Sequence, residues 1–156
     1  ESGVGVDKCP LCRESFDDKT EAENAADLMR LAKRGVNWAQ SNVGQCLMEG
    51  MRGFKKQAQT GLEFINKAAA QNYPPALYDL SNLYRNGIAS ELEKSEEKAN
   101  ELLLESANLG HVLANMELAG MHGFEKNPDE AYFRASVAFA LDGTNEQAAF
   151  VLGGFH

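Results

Sequence analysis

The feature that most constrains the fold is a short segment that recurs four times, an alanine followed three residues later by glycine or asparagine. The glycine or asparagine residues are 37, 38 and 33 positions apart, at Gly35, Asn72, Gly110 and Gly143. Glycine or asparagine directly after a helix adopts the left-handed conformation that closes the helix. A new apolar helical pattern begins four residues after each of these turns. A repeat of this length predicts stacked helical hairpins.

The first helix of each unit repeats one pattern of apolar and small residues. Offsets of 4, 5 and 8 residues place these positions on one helical face, and the matching sets are Ala39, Val43, Gly44 and Leu47, then Ala76, Leu80, Ser81 and Tyr84, then Ala114, Leu118, Ala119 and His122. The third member is always small, which lets a neighbouring helix approach closely. The second helices each carry a small residue near their ends, at Ala32, Ala69, Ala107 and Ala140.

Capping signals mark where the second helices begin. A Ser, Thr or Asn followed three residues later by Glu is the capping-box spacing, and it occurs at Thr20, Thr60, Ser90 and Asn127, with Ser95 as a competing cap for the third. Strand signals are absent. We therefore predict an all-α fold, a right-handed α-α superhelix (solenoid) of stacked antiparallel helix pairs. About eight helices are expected, roughly at 20–34, 37–49, 60–71, 75–86, 91–109, 112–122, 128–142 and 145–154.

These residues resemble the Sel-1-like repeat, a divergent tetratricopeptide-like helix pair. The first copy reads Ala39-x-x-Asn42-Val43-Gly44-x-x-Leu47-x-x-Gly50-x-x-Gly53-Phe54, then Lys67-Ala68-Ala69-x-x-Asn72, and the second runs from Ala76 to Gly110. A third, degenerate copy runs from Ala114 to Gly143, and the family's usual aspartate between the helices is missing from the first two. The resemblance implies an extension at 1–19, a half unit at 20–37, repeats at 38–73, 74–111 and 112–144, and a partial unit at 145–156.

The N-terminal segment carries a second resemblance. Cys9-Pro10-Leu11-Cys12 is similar to the last ligand pair of a RING-type zinc finger, and algal proteins with such a finger before Sel-1-like repeats have a similar layout. A tetrahedral zinc site needs four ligands, whereas only two cysteines stand here and Cys46 falls within a repeat helix. We therefore predict no metal site, and expect this segment to pack on the first helix or on a partner.

Charge and cysteine content exclude several classes of function. The net charge is −8, and residues 91–130 alone carry ten acidic and three basic side chains, which disfavours nucleic acid and anionic membranes. This acidic block is either a solvated helix face or a docking patch for a basic partner. The apolar runs are too short to span a membrane. Three cysteines give no disulfide framework, which predicts a soluble intracellular protein of a reducing compartment, either the cytoplasm or an organelle interior such as the plastid stroma.

The start of the sequence and the search for catalytic motifs complete this picture. The first residue is Glu1 rather than Met, as expected if a targeting peptide, a longer N-terminal part or part of an expression product preceded it. His111, His122 and His156 are scattered without partners at metal-ligand spacing. Phosphate-binding and nucleophile-elbow motifs are absent. We predict no catalytic residue and no cofactor, and hence no enzyme.

The repeat itself predicts a protein-binding role. Stacked hairpins form an extended concave wall, lined in the tetratricopeptide arrangement by the first helices. Residues exposed there are expected to contact a protein partner, with solvation alone as the alternative for each, and they are Asn42, Gln45, Glu49, Asp79, Asn82, Asn86, Glu117 and Met121. Phe150 and Phe155 add an apolar C-terminal end that a partner could cover.

Three functions remain open on this evidence. The first is a non-catalytic scaffold, adaptor or subunit of a larger protein complex, for which the algal resemblance suggests an organelle host such as a photosynthetic or respiratory complex. The second is the repeat domain of a RING-type ubiquitin ligase without its zinc finger. The third is a chaperone-like adaptor that binds peptides transiently.

Overall fold

The computed structural model describes residues 20–88 and 90–142, and within these ranges the chain forms seven α-helices. Consecutive helices pack on one another in chain order, with the closest pairings between α2 and α3, α4 and α5, and α6 and α7. The helices are α1 (Glu21–Lys33), α2 (Asn37–Glu49), α3 (Ala58–Ala70), α4 (Pro74–Asn86), α5 (Glu96–Asn108), α6 (Val112–Lys126) and α7 (Pro128–Leu141). The predicted all-α solenoid of helix pairs is confirmed.

Three of the four predicted turns lie in the described ranges, and all three have the expected backbone. Gly35, Asn72 and Gly110 have φ values of +92°, +57° and +92°. The residue after each turn donates its N–H to a carbonyl five residues earlier, as in Val36 to Leu31 at 3.2 Å. This is the bond that defines the Schellman motif. Gly143 lies outside the described residues.

The predicted core positions of the first helices are buried. Ala39, Val43, Ala76 and Ala114 are each 0% exposed, and Tyr84 is half-buried. Small residues of the second helices are also buried, except at α7, where Ala140 is exposed. The buried face of α7 runs instead through Ala131, Ala135 and Ala138. The side chain of His122 lies outside the described part of the structure.

The small residue predicted for close helix approach lies where α2 crosses α3. A Cβ atom added to Gly44 would meet the side chain of Ile65 and would come within 2.9 Å of the Gly61 carbonyl oxygen. In the next pair the same position is Ser81, whose hydroxyl donates to the Ala99 carbonyl at 2.7 Å. At this position a small side chain therefore lets the two helices of each of these pairs approach to backbone contact.

Of the four predicted helix starts, two are confirmed, one is wrong, and one falls at the alternative cap that the sequence offered. Thr20 forms a complete capping box with Glu23, and the Asn127 side chain caps α7. Thr60 is not a cap, because α3 begins at Ala58 after the Gln57 N–H donates to the Leu47 carbonyl at 2.8 Å.

The third helix start is set by the competing cap. Ser95, not Ser90, caps α5 by accepting from the Lys98 N–H. An isolated bridge between Ile88 and Leu92 holds the preceding residues in a turn, so the helix cannot begin at 91.

The C-terminal pair departs from ideal geometry, and several expectations fall beyond it. α6 is interrupted at Gly123, which has φ of +59°, directly after the end of the helix predicted at 112–122. The predicted eighth helix at 145–154, the extension at 1–19 and the Cys9–Cys12 pair lie outside the described residues. Among the helices that are described, none has the length and hydropathy needed to span a membrane.

Candidate functional site

The first helices of successive pairs contact one another along one side of the molecule. Between α2 and α4, the Gln45 Nε2 donates to Asp79 Oδ2 at 2.6 Å, and the Ser41 hydroxyl lies 3.5 Å from the same oxygen. Between α4 and α6, the Arg85 guanidinium forms an ion pair with Glu117. We call this surface of α2, α4 and α6 the first-helix face.

A groove of about 430 Å³ lies on the first-helix face between α2 and α4. Four of the residues predicted to bind a partner line it together, Gln45 and Glu49 from α2 with Asp79 and Asn82 from α4. Polar groups from two repeats therefore converge on one depression, which we call the α2–α4 groove.

Apolar side chains line the same groove. Met48 from α2, Ile65 from α3 and Leu83 from α4 contribute to it, and Met51 and Arg52 follow from the loop after α2. Ile65 is 1% exposed, so it forms the base of the groove. A depression that combines apolar surface with a few convergent polar groups is the usual form of a binding site.

Burial sets the electrostatics of Asp79. Desolvation raises the pKa of its carboxyl from 3.8 to about 6, although the hydrogen bonds from Gln45 and Ser41 act in the opposite direction. A carboxylate that loses water without gaining a cation is disfavoured in its charged form. Asp79 is therefore ionised at neutral pH at a cost to the folded state.

A second polar cluster continues along the face toward α6. The rings of Tyr78 and His111 lie 4.9 Å apart, centroid to centroid. Burial raises the pKa of the Tyr78 hydroxyl, which also interacts with Asn82 and Glu117. Burial lowers the pKa of His111, whose Nδ1 accepts from the Ala114 N–H at 3.3 Å. His111 therefore serves as a neutral cap for α6.

The other residues predicted to bind a partner are not brought into the groove. Asn42 is half-buried, while Asn86 and Met121 are exposed on α4 and α6. Glu117 is held by Arg85. Phe150 and Phe155 lie outside the described residues.

Sequence reasoning missed several residues of the site. On α2 and α4 it named only polar positions, so it omitted the apolar lining residues Met48 and Leu83. Both lie three or four residues after a residue that was named, Gln45 and Asp79 respectively, and this spacing marks the same helical face. The signal was therefore present in the sequence.

The described residues offer little to a metal ion. No group of three or more His, Cys, Asp or Glu side chains within residues 20–88 and 90–142 could hold a metal. Cys46 is a free thiol buried in α2, and burial raises its pKa. A buried protonated thiol packs as a small apolar side chain.

Stacked helical hairpins with a polar groove on the first-helix face define an α-helical repeat protein of the solenoid class. Residues 39–73 and 74–111 each match the Sel1 repeat family. The chain is therefore a Sel1-repeat protein. Proteins of this family are generally protein-interaction scaffolds and are typically not catalytic.

Two solved structures are similar to this chain. A Sel1 repeat protein from Oxalobacter formigenes has a TM-score of 0.76 and 24% identity, and the match covers 86% of this chain and 39% of that protein. A protective antigen of uropathogenic Escherichia coli that displays an SLR fold has a TM-score of 0.68 and 26% identity, over 85% of this chain and 28% of its own length. The chain thus spans well under half of either protein.

Proposed function

We propose that the chain is a non-catalytic scaffold that binds a protein partner through the α2–α4 groove and the adjoining first-helix face. The observation that carries this proposal is the convergence of Gln45, Glu49, Asp79 and Asn82 on one groove with an apolar base. A second cavity, of about 450 Å³ between α1 and the loop after α2, contains none of the residues predicted to bind a partner.

The groove suits a segment of a protein. Side-chain amides such as that of Asn82 both donate and accept hydrogen bonds, so they can pair with the backbone of an extended peptide. The apolar base offers burial for a side chain of that peptide. An interface with an apolar centre and a polar rim is the common arrangement in protein complexes.

The proposal also covers the kind of complex to which this scaffold belongs. We infer a subunit of a larger complex, with an organelle assembly such as a photosynthetic or respiratory complex as the host. The repeat domain of a RING-type ubiquitin ligase is the second candidate, supported by Cys9 and Cys12. Sequencing the complete transcript separates them, since six further Cys or His ligands before Glu1 indicate a ligase and a targeting peptide indicates an organelle subunit.

A matched pair of variants tests the binding surface. Asn82→Arg places a long cationic side chain in the groove, while Asn66→Arg makes the same change at an exposed position of α3 outside it. The wild-type chain and the two variants are immobilised on resin and incubated with native extract. The bound proteins are then quantified by mass spectrometry. We expect Asn82→Arg to reduce the enrichment of one partner at least about tenfold, which corresponds to a loss of about 1.4 kcal/mol in binding free energy.

The control decides how the result is read. Circular dichroism must show that both variants keep the helical content of the wild type. Partner enrichment that is unchanged in Asn82→Arg, or that falls equally in Asn66→Arg, would contradict binding through the groove.

A further inference from the structure

Asp79 is a half-buried carboxylate without a cationic partner among the residues that the structure describes. Its two hydrogen bonds come from neutral donors, the amide of Gln45 and the hydroxyl of Ser41. The nearest arginine along α4, Arg85, is already engaged by Glu117 and Glu96. Buried carboxylates are normally compensated by an opposite charge, so Asp79 is unusual in this fold.

One oxygen of this carboxylate remains open. Both hydrogen bonds reach Oδ2, and Oδ1 accepts none from residues 20–88 and 90–142. Within the same ranges, every fully buried side-chain polar atom has a hydrogen-bond partner. Oδ1 is therefore not fully buried, and Asp79 is one of the residues that line the α2–α4 groove.

The surroundings of Asp79 match a long basic side chain. Met48 and Leu83 line the groove on either side and Ile65 lies at its base, which provides apolar surface for a methylene stem. Lysine and arginine bury their stems against such surface while the charged tip reaches a polar group. Glu49 adds a second carboxylate to the lining, against the single cation of Arg52.

We propose that the α2–α4 groove binds a lysine or arginine side chain of the partner protein, with the cationic tip on Asp79 Oδ1 and the stem along Met48 and Leu83. This inference rests on the proposed function, because it names the chemistry of the partner at the same groove. Charge complementarity is the argument for the occupant: the free chain holds a desolvated anion there, and the partner supplies the cation. A charge-assisted hydrogen bond of this kind is stronger than a neutral one.

The proposal carries a pH dependence with a defined direction. Burial raises the pKa of Asp79 to about 6 in the free chain, and a bound cation favours the charged carboxylate. Binding is therefore strongest above pH 6 and weakens as the pH falls below it. Glu49 on α2 and Arg52 in the loop share the groove with Asp79, and Tyr78 on α4 interacts with both Asp79 and Glu117 of α6.

A peptide titration tests the proposal directly. The probes are two peptides, acetyl-Gly-Ala-Arg-Ala-Gly-amide and the same peptide with glutamine in place of arginine, added to the ¹⁵N-labelled chain and followed by NMR. We expect the arginine peptide to shift the side-chain amide signals of Gln45 and Asn82, and the glutamine peptide to bind at least about tenfold more weakly. Asp79→Asn should weaken arginine-peptide binding by a similar factor, because it keeps the shape but removes the charge.

A control variant and three contrary outcomes separate this proposal from the proposed function. Glu63→Gln, an exposed carboxylate on α3 outside the groove, should bind the arginine peptide like the wild type. Equal binding of both peptides, unchanged binding by Asp79→Asn, or no binding of the arginine peptide at pH 7.5 would each overturn the basic-side-chain proposal. If these occur while Asn82→Arg still abolishes partner capture, the groove remains the interface and only the cation is wrong.

Discussion

At the scale of single residues, Asp79 shows how a desolvated carboxylate can reduce the stability of the folded chain. Its folded-state pKa of about 6 lies above the value of 3.8 for an unperturbed carboxyl. The folded state therefore binds the proton more tightly than the unfolded state, so this group lowers stability as the pH rises from about 4 through 6. Well below pH 3.8 both states are protonated and the penalty is absent.

The Asp79→Asn variant measures this penalty. We expect it to raise the free energy of unfolding at pH 7.5 by about 1–2 kcal/mol, a range reduced from the full linkage value because the side chain is only half-buried. At pH 3, below the unfolded-state pKa of 3.8, the gain should nearly vanish. Urea unfolding of wild type and variant at the two pH values gives the comparison, and a gain that is the same at both would show that burial of the charge is not its source.

At the scale of helices, the crossing of α2 and α3 depends on two glycines facing one another. Gly44→Ala would place a methyl group against Ile65 and the Gly61 carbonyl, and overpacking of this kind costs about 1–3 kcal/mol. Gly120→Ala in α6 is the matched control, because nothing lies within 4 Å of the position that its added methyl group would take. It should stabilise the helix by about 0.5–1 kcal/mol. Melting temperatures that shift in the same direction for both variants would contradict the close crossing of α2 and α3.

The start of α5 provides another comparison at this scale. Ser95→Ala removes the hydroxyl that accepts from the Lys98 N–H, and loss of such a cap costs about 1 kcal/mol. Ser90→Ala, at the alternative cap that the sequence also offered, should leave the free energy of unfolding unchanged within about 0.5 kcal/mol. Chemical unfolding of the two variants measures both values. A larger loss of stability for Ser90→Ala than for Ser95→Ala would contradict Ser95 as the cap of α5.

The helices were predictable from the sequence because their signals are local. Buried positions follow from the 3.6-residue period, and the left-handed turns at Gly35, Asn72 and Gly110 follow from residue type. The starts of α3 and α5 were less predictable, since hydrogen bonds in the preceding loops decide where each helix begins. The Gln57–Leu47 bond starts α3 two residues before Thr60, and the Ile88–Leu92 bridge delays α5 to Ser95.

The site was predictable only in part, for a related reason. Periodicity identified Gln45 and Asp79 as residues of one face. It could not predict that they touch, because a contact between residues 34 positions apart depends on the angle between successive repeats. The lack of a cation at Asp79 depends on the same angle, which determines that Arg85 pairs with Glu117 instead.

At the scale of the whole molecule, contacts between consecutive helices dominate the packing. Stability in such a chain is approximately a sum of local terms and nearest-neighbour terms. We therefore expect Gly44→Ala to lower amide protection in α2 and α3 much more than in α7. Native-state hydrogen exchange followed by mass spectrometry resolves the helices separately. An equal loss in every helix would instead show that the described helices unfold as one cooperative unit.

The α2–α4 groove has walls from two different repeats, since Gln45 and Ile65 belong to the first matched repeat and Asp79 and Leu83 to the second. A ligand in this groove would contact both repeats and oppose their separation, because a ligand stabilises the state that it binds. Binding would therefore stabilise the interface between these two repeats. Under a pulling force applied to the two ends of the chain, interfaces between repeats that bind no ligand would then separate first.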